Sequence, residues 1–374
     1  MYAKPNKLFL SFLQAVDKGF DYGLTFAFGS SPHLKDFLQD LDADMKLDWS
    51  GQSFYGLPEL RRYVVESQGY NLNSDNIMIT AGTAEANFLV MTSLLNPGDE
   101  IIVEQPSWPQ PYAIAKMTGA QVKVIKRREK VNWALDMDEL EEITSPKTKV
   151  IFLCSPNNPT GALLNENLIR RISRIAEKND AWLISDEVYR GLELDAPLSP
   201  AAVNYYEKAI SVASVSKCMG LQGIRTGWIA SRDKDLLFSC LALREDTSEI
   251  MNVLGEYIAL AALRPDRQAK FIAKAKSEAK AGWQVVADWI EQNPWFDWIA
   301  PKAGFLSFPR YNLDIGSEEF SNRLLAPPYR TFVHPGAAYG IEQHIRLGVG
   351  GGDVETIKNG LAKIDSLVDE INKG

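Results

Sequence analysis

Short apolar runs alternate with amphipathic stretches between about residues 75 and 231. The runs are strand-length and rich in β-branched residues, so they predict seven β-strands, over residues 76–80, 100–105, 121–126, 150–154, 181–186, 210–215 and 225–230. Several stretches between them, such as 83–95 and 165–178, have the periodicity of helices. This alternation predicts an α/β domain with a mostly parallel seven-stranded sheet, whose ligands bind beyond the carboxyl ends of the strands.

The pattern changes after about residue 262. A long helical stretch over 266–291 is followed by strand-like segments at 295–300, 304–309 and 345–349 and by a C-terminal helix over 354–372. This predicts a smaller α+β domain. The first forty residues are expected to pack with it, because residues 57–68 already have the pattern of the first helix of the large domain. We therefore predict a large domain over residues 41–262 and a small domain formed by residues 1–40 and 263–374.

Composition and charge limit the kinds of partner that the chain is expected to bind. The net charge is −8 and the pI is near 5.2, which argues against nucleic acid or an anionic membrane as a partner. The densest basic tract, residues 126–128, is interpreted as a solvated loop. The three cysteines and three histidines are scattered, so no metal site is expected. No apolar run is long enough for a membrane span, and the run at 8–13 is too short for a secretory signal, so we expect a cytoplasmic protein.

A lysine follows the sixth predicted strand, in a setting that suits a phosphate. Lys217 is flanked by the hydroxyls of Ser214 and Ser216, and Arg225 follows among glycines. A lone lysine at a strand end is usually a solvated surface residue. Hydroxyls and a guanidinium are natural phosphate ligands, however, and glycines let the backbone approach closely. A lysine beside such a cradle indicates a cofactor that carries both an aldehyde and a phosphate.

A second candidate phosphate site follows the first predicted strand. The chain turns at Gly82, and a helix is predicted to begin at about Thr83. The unpaired N–H groups and the dipole at a helix start favour an anion. Gly-Thr is also a common helix cap, which is the simpler interpretation.

Polar and aromatic residues also follow three other predicted strands. Asp186 is most simply a helix cap or an ion-pair partner, but a carboxylate is also what keeps a pyridine nitrogen protonated. Tyr189, three residues later, is placed to reach a ring hydroxyl. Asn158 lies in a Pro- and Gly-rich segment whose simplest interpretation is a turn. Trp108 is either a core residue or a stacking partner for a flat ring.

Taken in this order, these elements resemble the class I/II aminotransferases, which are fold-type I enzymes that depend on pyridoxal 5′-phosphate (PLP). The resemblance extends from about Gly29 to the C-terminus. It rests mainly on residues 155–161 (SPNNPTG), 184–189 (ISDEVY), 214–228 (SVSKCMGLQGIRTGW) and 333–348 (VHPGAAYGIEQHIRLG), with weaker matches at 56–61 (GLPELR) and 96–100 (NPGDE).

The resemblance implies a role for each candidate residue. Lys217 would hold PLP as a Schiff base and move the substrate proton, and Asp186 would pair with the pyridine nitrogen. Tyr189 and Asn158 would contact the phenolic oxygen, and Trp108 would stack on the ring. The phosphate would be held by Ser214, Ser216, Arg225 and the backbone of Gly82, Thr83 and Ala84. Arg346 would bind the substrate carboxylate, with Gly29 and Asn158 lining the same pocket.

The implied activity is ping-pong transfer of an amino group between an amino acid and a 2-oxo acid. Other PLP reactions on the same fold (elimination at Cβ or Cγ, cyclisation, oxidation) stay open at this stage, as does a non-catalytic ligand sensor. The resemblance also implies a two-fold homodimer and cis bonds before Pro106 and Pro159. One position departs from the family: Gly51 stands where members often carry a tyrosine that contacts the phosphate of the neighbouring subunit.

Specificity for a second carboxylate would need a second cation. Arg244 is a candidate, because dicarboxylate-specific relatives place an arginine in roughly this region. The alternative, which we favour from the sequence, is a surface helix arginine paired with Glu245 and Asp246.

Overall fold

A computed structural model describes residues 5–48 and 53–373 of the chain. The strands, in chain order, are β1 Tyr22–Gly23, β2 Ile77–Thr80, β3 Glu100–Gln105, β4 Gln121–Arg128, β5 Ala134–Leu135, β6 Thr148–Cys154, β7 Trp182–Asp186, β8 Ala209–Ser214, β9 Gly227–Ser231, β10 Phe296–Asp297, β11 Leu306–Ser307, β12 Arg310–Tyr311, β13 Thr331–Phe332, β14 His334–Pro335 and β15 Ile345–Gly348. The helices are α1 Lys7–Lys18, α2 Pro58–Gln68, α3 Thr83–Leu94, α4 Gln110–Thr118, α5 Met137–Ile143, α6 Glu166–Lys178, α7 Lys234–Glu245, α8 Val253–Ala262, α9 Pro265–Gln292, α10 Ser317–Leu325 and α11 Val354–Lys373.

The central sheet has eight strands in the order β2-β9-β8-β7-β6-β3-β4-β5. Strands β4, β3, β6, β7 and β8 run parallel, while β9 pairs antiparallel with both β2 and β8. All seven predicted strands form. The eighth, β5, was not predicted because two residues carry no periodic signal. The last predicted strand begins two residues later than expected, since Arg225 has a left-handed φ of 54° and cannot lie in a strand.

Both faces of this sheet are covered by helices, as a parallel sheet requires. Along β3 and β6, neighbouring residues alternate between two apolar clusters. Val103 and Phe152 pack into a cluster with side chains of α3 and α7. Ile102 and Ile151 pack into a cluster with side chains of α5 and α6. Asp186 and Ser214 end β7 and β8, so they lie at the edge formed by the carboxyl ends of these parallel strands.

The C-terminal third forms small sheets around the long helix α9. Strands β11, β15 and β14 form one sheet, and β1 pairs in parallel with β13, so the N-terminal segment lies beside residues 331–332. The division of the chain into two domains at residues 41–262 stays a prediction. Within the described residues, no helix is both long and apolar enough to cross a bilayer.

Candidate active site

Lys217 lies just beyond β8, in the loop between the central sheet and residues 220–225. Its side chain is half-buried, and its Nζ forms no hydrogen bond or salt bridge with any described residue. The ring centroid of Phe28 lies 5.6 Å from Nζ. Burial, together with the charges of Arg346 and Arg225, lowers the pKa of Lys217 to about 8, against the opposite effect of Asp186. At pH 7 roughly a tenth of this amine is therefore unprotonated and nucleophilic, far more than for an ordinary lysine.

The start of α3 and Arg225 meet across two glycines. Gly82, at the helix N-cap, has a φ of 82°, and Arg225 Nη2 donates to the carbonyl of Ala81 over 3.2 Å. A Cβ on Gly82 would lie 2.4 Å from Arg225 Nη2, and a Cβ on Gly227 would lie 2.8 Å from the carbonyl carbon of Gly82. Side chains at positions 82 and 227 would thus fill the space between the start of α3 and Arg225, which we call the Gly82–Arg225 cradle. The buried Oγ1 of Thr83 has no partner among residues 5–48 and 53–373.

The other predicted phosphate ligands, Ser214, Ser216 and Ala84, are near Arg225 or Gly82 in the sequence. Ser214 and Ser216 are both buried, and the backbone N–H of Ser216 donates to Ser214 Oγ over 3.3 Å. Ala84 is exposed in the first turn of α3. A guanidinium, buried hydroxyls and a helix N-terminus together suit a phosphate dianion.

Asp186 ends β7 and is buried. Its Oδ2 accepts a hydrogen bond from Asn87 Nδ2 at 3.0 Å, and its Oδ1 accepts one from the backbone N–H of Val188 at 3.2 Å. Burial raises the pKa of Asp186 to about 6, against the effect of these two hydrogen bonds and of the Lys217 charge. A cation next to this carboxylate would favour its ionised form.

Arg346 is buried in β15, opposite His334 of β14. Its Nη1 donates to the hydroxyl of Tyr339 at 2.9 Å, and its Nη2 donates to the carbonyl and Oγ1 of Thr25 at 2.9 and 3.0 Å. Asn158 Oδ1 lies 3.5 Å from Arg346 Nη1 and 3.4 Å from the Tyr339 hydroxyl. The buried Nε of Arg346 has no protein partner in the described part of the chain.

Three further predicted residues are Tyr189, Trp108 and Gly29. Tyr189 is buried, and burial raises its pKa, against the effect of the Arg346 charge. Trp108 is half-buried against an apolar cluster that includes Tyr339. Gly29 lies against α9, where an added Cβ would be 3.2 Å from that of Ala275. Its carbonyl oxygen is also 3.0 Å from the Cβ position of Gly220, so it borders the loop that carries Lys217.

Comparison with known proteins places the chain in a family. The family described as aminotransferase class I and II matches residues 34–364. An aspartate aminotransferase of Pyrococcus horikoshii is 32% identical over 297 residues, which are 76% of this chain and 74% of that protein. The chain belongs to the class I and II aminotransferases. It is a PLP-dependent enzyme whose substrates are amino acids and 2-oxo acids.

Solved structures agree with this aminotransferase in fold. A PLP-dependent aminotransferase from Streptococcus suis has a TM-score of 0.88 and 27% identity, and the match covers 98% of each chain. A PLP-dependent cyclase has a TM-score of 0.89 at 22% identity, covering 99% of this chain and 98% of the cyclase. The fold alone therefore does not decide between transfer and cyclisation, whereas the relatives named aspartate aminotransferase favour transfer.

The residues of this aminotransferase fit PLP at both ends of the cofactor. The Thr83 hydroxyl, which has no partner among the described residues, and the glycine-lined cradle beside Arg225 suit the phosphate. The two accepting oxygens of Asp186 suit a protonated pyridine nitrogen. Lys217 offers a partly neutral amine to an aldehyde.

The structure corrects the interpretation of Arg244. This residue of α7 is fully buried, so it is not a surface arginine paired with Glu245 and Asp246. Its Nη1 donates to the carbonyl of Ile79 at 2.8 Å, and its Nη2 donates to the carbonyl of Phe54. Both Nη groups thus donate to backbone carbonyls, while the buried Nε has no partner among the described residues. Gly51, the position that departs from the family, lies outside the described residues.

The basic tract at 126–128 is also corrected, because it lies in β4 and Arg127 is fully buried. Arg127 Nε donates to Glu104 Oε2 at 2.6 Å. Glu104 Oε1 accepts from the backbone N–H of Cys154 at 2.7 Å and from Asn157 Nδ2 at 3.0 Å. This ion pair thereby anchors the turn that carries Asn158. The bonds before Pro106 and Pro159 are cis, as predicted.

Sequence reasoning missed Asn87, Thr25 and Tyr339 as parts of the site. Tyr339 lies within the segment 333–348 that carries the family resemblance, so its position was a usable signal. Thr25 and Asn87 carried none, because each acts through a partner far away in the chain.

Proposed function

We propose that this aminotransferase exchanges amino groups at Lys217, between the Gly82–Arg225 cradle and the Arg346 guanidinium. The observation that carries the proposal is the half-buried Lys217 amine, whose Nζ has no hydrogen-bond or salt-bridge partner among the described residues. Burial, together with the charges of Arg346 and Arg225, lowers its pKa to about 8. When bound, PLP supplies an electron sink for the bonds at the substrate Cα.

Lys217 acts as the base in this proposal. Its neutral Nζ would accept the proton from the substrate Cα and deliver it to C4′ of the cofactor, which needs a pKa close to the working pH. Asp186, fixed by donors at both oxygens, holds the proton of the pyridine nitrogen in place. The remaining proposed contacts are Ser214, Ser216, Arg225, Gly82, Thr83 and Ala84 to the phosphate, Tyr189 and Asn158 to the phenolic oxygen, Trp108 to the ring face, and Gly29 and Asn158 to the substrate.

Arg346 binds the substrate α-carboxylate. Tyr339 and Thr25 fix the plane of its guanidinium from two sides, so little side-chain freedom is lost when a carboxylate binds. The buried Nε, which lacks a partner among the described residues, is a donor that a carboxylate oxygen would satisfy.

We propose aspartate as an amino donor, because relatives from Pyrococcus horikoshii and Streptomyces avermitilis carry the name aspartate aminotransferase. The contacts of Arg244 offer no second guanidinium for the side-chain carboxylate. We therefore expect neutral amino acids to serve as donors alongside aspartate.

We further propose a cytoplasmic homodimer that binds neither nucleic acid nor membrane. The net charge of −8 supports the absence of polyanionic partners, and closed two-fold dimers are the commonest oligomers of soluble proteins. Sedimentation equilibrium tests the assembly, and a fully active monomer would contradict it.

The proposed function is tested by reducing the PLP-loaded protein with borohydride and mapping the modified lysine. We expect label at Lys217, none in Lys217→Ala, and unchanged labelling in Lys208→Ala, a lysine paired with Asp180. A panel of amino donors with pyruvate and 2-oxoglutarate, monitored for ammonia and peroxide, separates transfer from elimination and oxidation. Label on another lysine in Lys217→Ala would refute the assignment.

A further inference from the structure

A buried amide in α3 contacts the carboxylate proposed to face the cofactor. Asn87 is 1% exposed, and its Nδ2 lies 3.0 Å from Asp186 Oδ2. We infer that Asn87 is a positioning residue, which holds Asp186 ionised and oriented toward the pyridine nitrogen of the cofactor. This inference rests on the role proposed above for Asp186.

Only the nitrogen of the Asn87 side-chain amide has hydrogen-bond partners among the described residues. Its Nδ2 serves Asp186 and has a weaker contact with Gln110 Oε1 at 3.4 Å, whereas its Oδ1 is buried with no partner in the described chain. A buried amide kept only for packing would be expected to pair both ends, since an orphaned acceptor is costly. Turning the amide over would bring Oδ1 against Asp186 Oδ2, and two acceptors repel unless the acid is protonated. The observed orientation therefore matches an ionised Asp186.

Other groups around Asp186 do not replace this contact. Burial and the nearby Glu104 both favour the protonated acid, while Lys217 favours the ionised one. The neutral side chains of Cys154 and Tyr189 also face it. The contribution of Lys217 disappears once its amine is neutral. Among the described residues, the lasting donors to the carboxylate are then the backbone N–H of Val188 and the side chain of Asn87.

The helix that carries Asn87 also begins at the proposed phosphate site. Thr83 and Asn87 are four residues apart, so they lie on one face of α3, about 6 Å apart along its axis. Gln110 Nε2 bonds the carbonyl of Ala84 at 2.7 Å, which ties this first turn to α4. A single rigid element thus sets the spacing between the phosphate contacts and the partner of the pyridine nitrogen.

The inference is tested first on the apoenzyme, with Asn87→Leu, which is similar in size, and Ser93→Ala as the control on the same helix. Ser93 contacts Cys240 of α7 and not Asp186. The pKa of Asp186 is raised from 3.8 to about 6 in the folded protein, so its ionisation lowers stability as the pH rises through this window. Asn87→Leu raises that pKa further. Its unfolding constant in urea should therefore exceed that of wild type several-fold more at pH 7.5 than at pH 5, whereas Ser93→Ala should show no such pH dependence.

The second readout is the dissociation constant for PLP as a function of pH. Asn87→Leu should weaken PLP binding at least tenfold at pH 6.5 and much less at pH 8.5, where Asp186 is ionised in both proteins. Asn87→Asp is nearly isosteric and shares one proton with Asp186, so it should bind PLP within threefold of wild type at pH 6.5.

Each outcome decides a separate point. Wild-type protein that fails to bind PLP would overturn the proposed function, while the apoenzyme titration would still decide the contact. If the unfolding constant and the dissociation constant for PLP depend on pH in Asn87→Leu as they do in Ser93→Ala, the inference is overturned. If Asn87→Leu does not fold, the test rests on Asn87→Asp. A tenfold loss of PLP affinity in Asn87→Asp at pH 6.5 would then refute the proposal.

Discussion

A methyl group added at Gly82 should weaken PLP binding in addition to destabilising the fold. The added Cβ would lie 2.4 Å from Arg225 Nη2, well inside van der Waals contact. The guanidinium must move away, and with it a proposed phosphate ligand. The backbone of Gly82, with φ 82° and ψ 172°, also lies in a region that is almost exclusive to glycine.

The two effects have separate magnitudes. An alanine held in this backbone region should lower the free energy of unfolding by about 1–3 kcal/mol. Loss of a hydrogen bond between a guanidinium and a phosphate should cost a further 1.5–3 kcal/mol of binding free energy, or roughly ten- to hundredfold in the dissociation constant for PLP. We therefore expect Gly82→Ala to fold, with reduced stability and clearly weaker cofactor binding.

Gly98→Ala is the matched control. Gly98 also has a positive φ of 92°, but an added Cβ there meets nothing within 4 Å. It should lose a similar amount of stability in urea unfolding and keep the wild-type dissociation constant, measured by quenching of tryptophan fluorescence. Equal PLP affinity in Gly82→Ala and Gly98→Ala would refute the cradle.

Three further predictions concern the site and its supports. Arg346→Ala should still bind PLP, but its kcat/KM for every amino donor should fall by an amount equivalent to about 2–5 kcal/mol of transition-state stabilisation. An unchanged kcat/KM would contradict the role proposed for Arg346. Covalent attachment of PLP to apoenzyme, followed by stopped-flow absorbance, should accelerate as the pH rises through about 8, because the Lys217 amine becomes neutral there; a flat profile would argue against this. Glu104→Ala should lower the free energy of unfolding by about 3–5 kcal/mol by leaving Arg127 an unpaired buried charge, and Arg127→Met added to it should restore part of the loss.

The sequence was informative wherever a local pattern decides the structure. Strands β6, β7, β8 and β9 form because apolar runs favour a sheet buried on both faces. Strand β4 instead alternates apolar and polar residues and is exposed along part of its length. Lys217 and Asp186 could be found because each follows an apolar run. The strand after Lys217 was started too early, since a left-handed φ at Arg225 depends on the cradle around it and not on local preference.

Contacts between distant segments were not predictable. Arg127 was interpreted as solvated because a buried charge reveals itself only through its partner, and Glu104 is 23 residues away. Arg244 was misread for the same reason, since its partners are backbone carbonyls 165 and 190 residues away. An amide such as Asn87 inside an apolar helix gives no periodic signal of what it bonds.

The hydrogen bonds between Thr25 and Arg346 join positions 321 residues apart. During synthesis, by contrast, every proposed ligand of the phosphate and the pyridine ring has left the ribosome once residue 225 has emerged. Strand β9 ends at Ser231, so the nascent chain can complete the central sheet and its cofactor cradle while Arg346, the proposed carboxylate ligand, is still untranslated. The order of these residues along the chain therefore allows the cofactor cradle to form before the Arg346 site, which needs both ends of the chain.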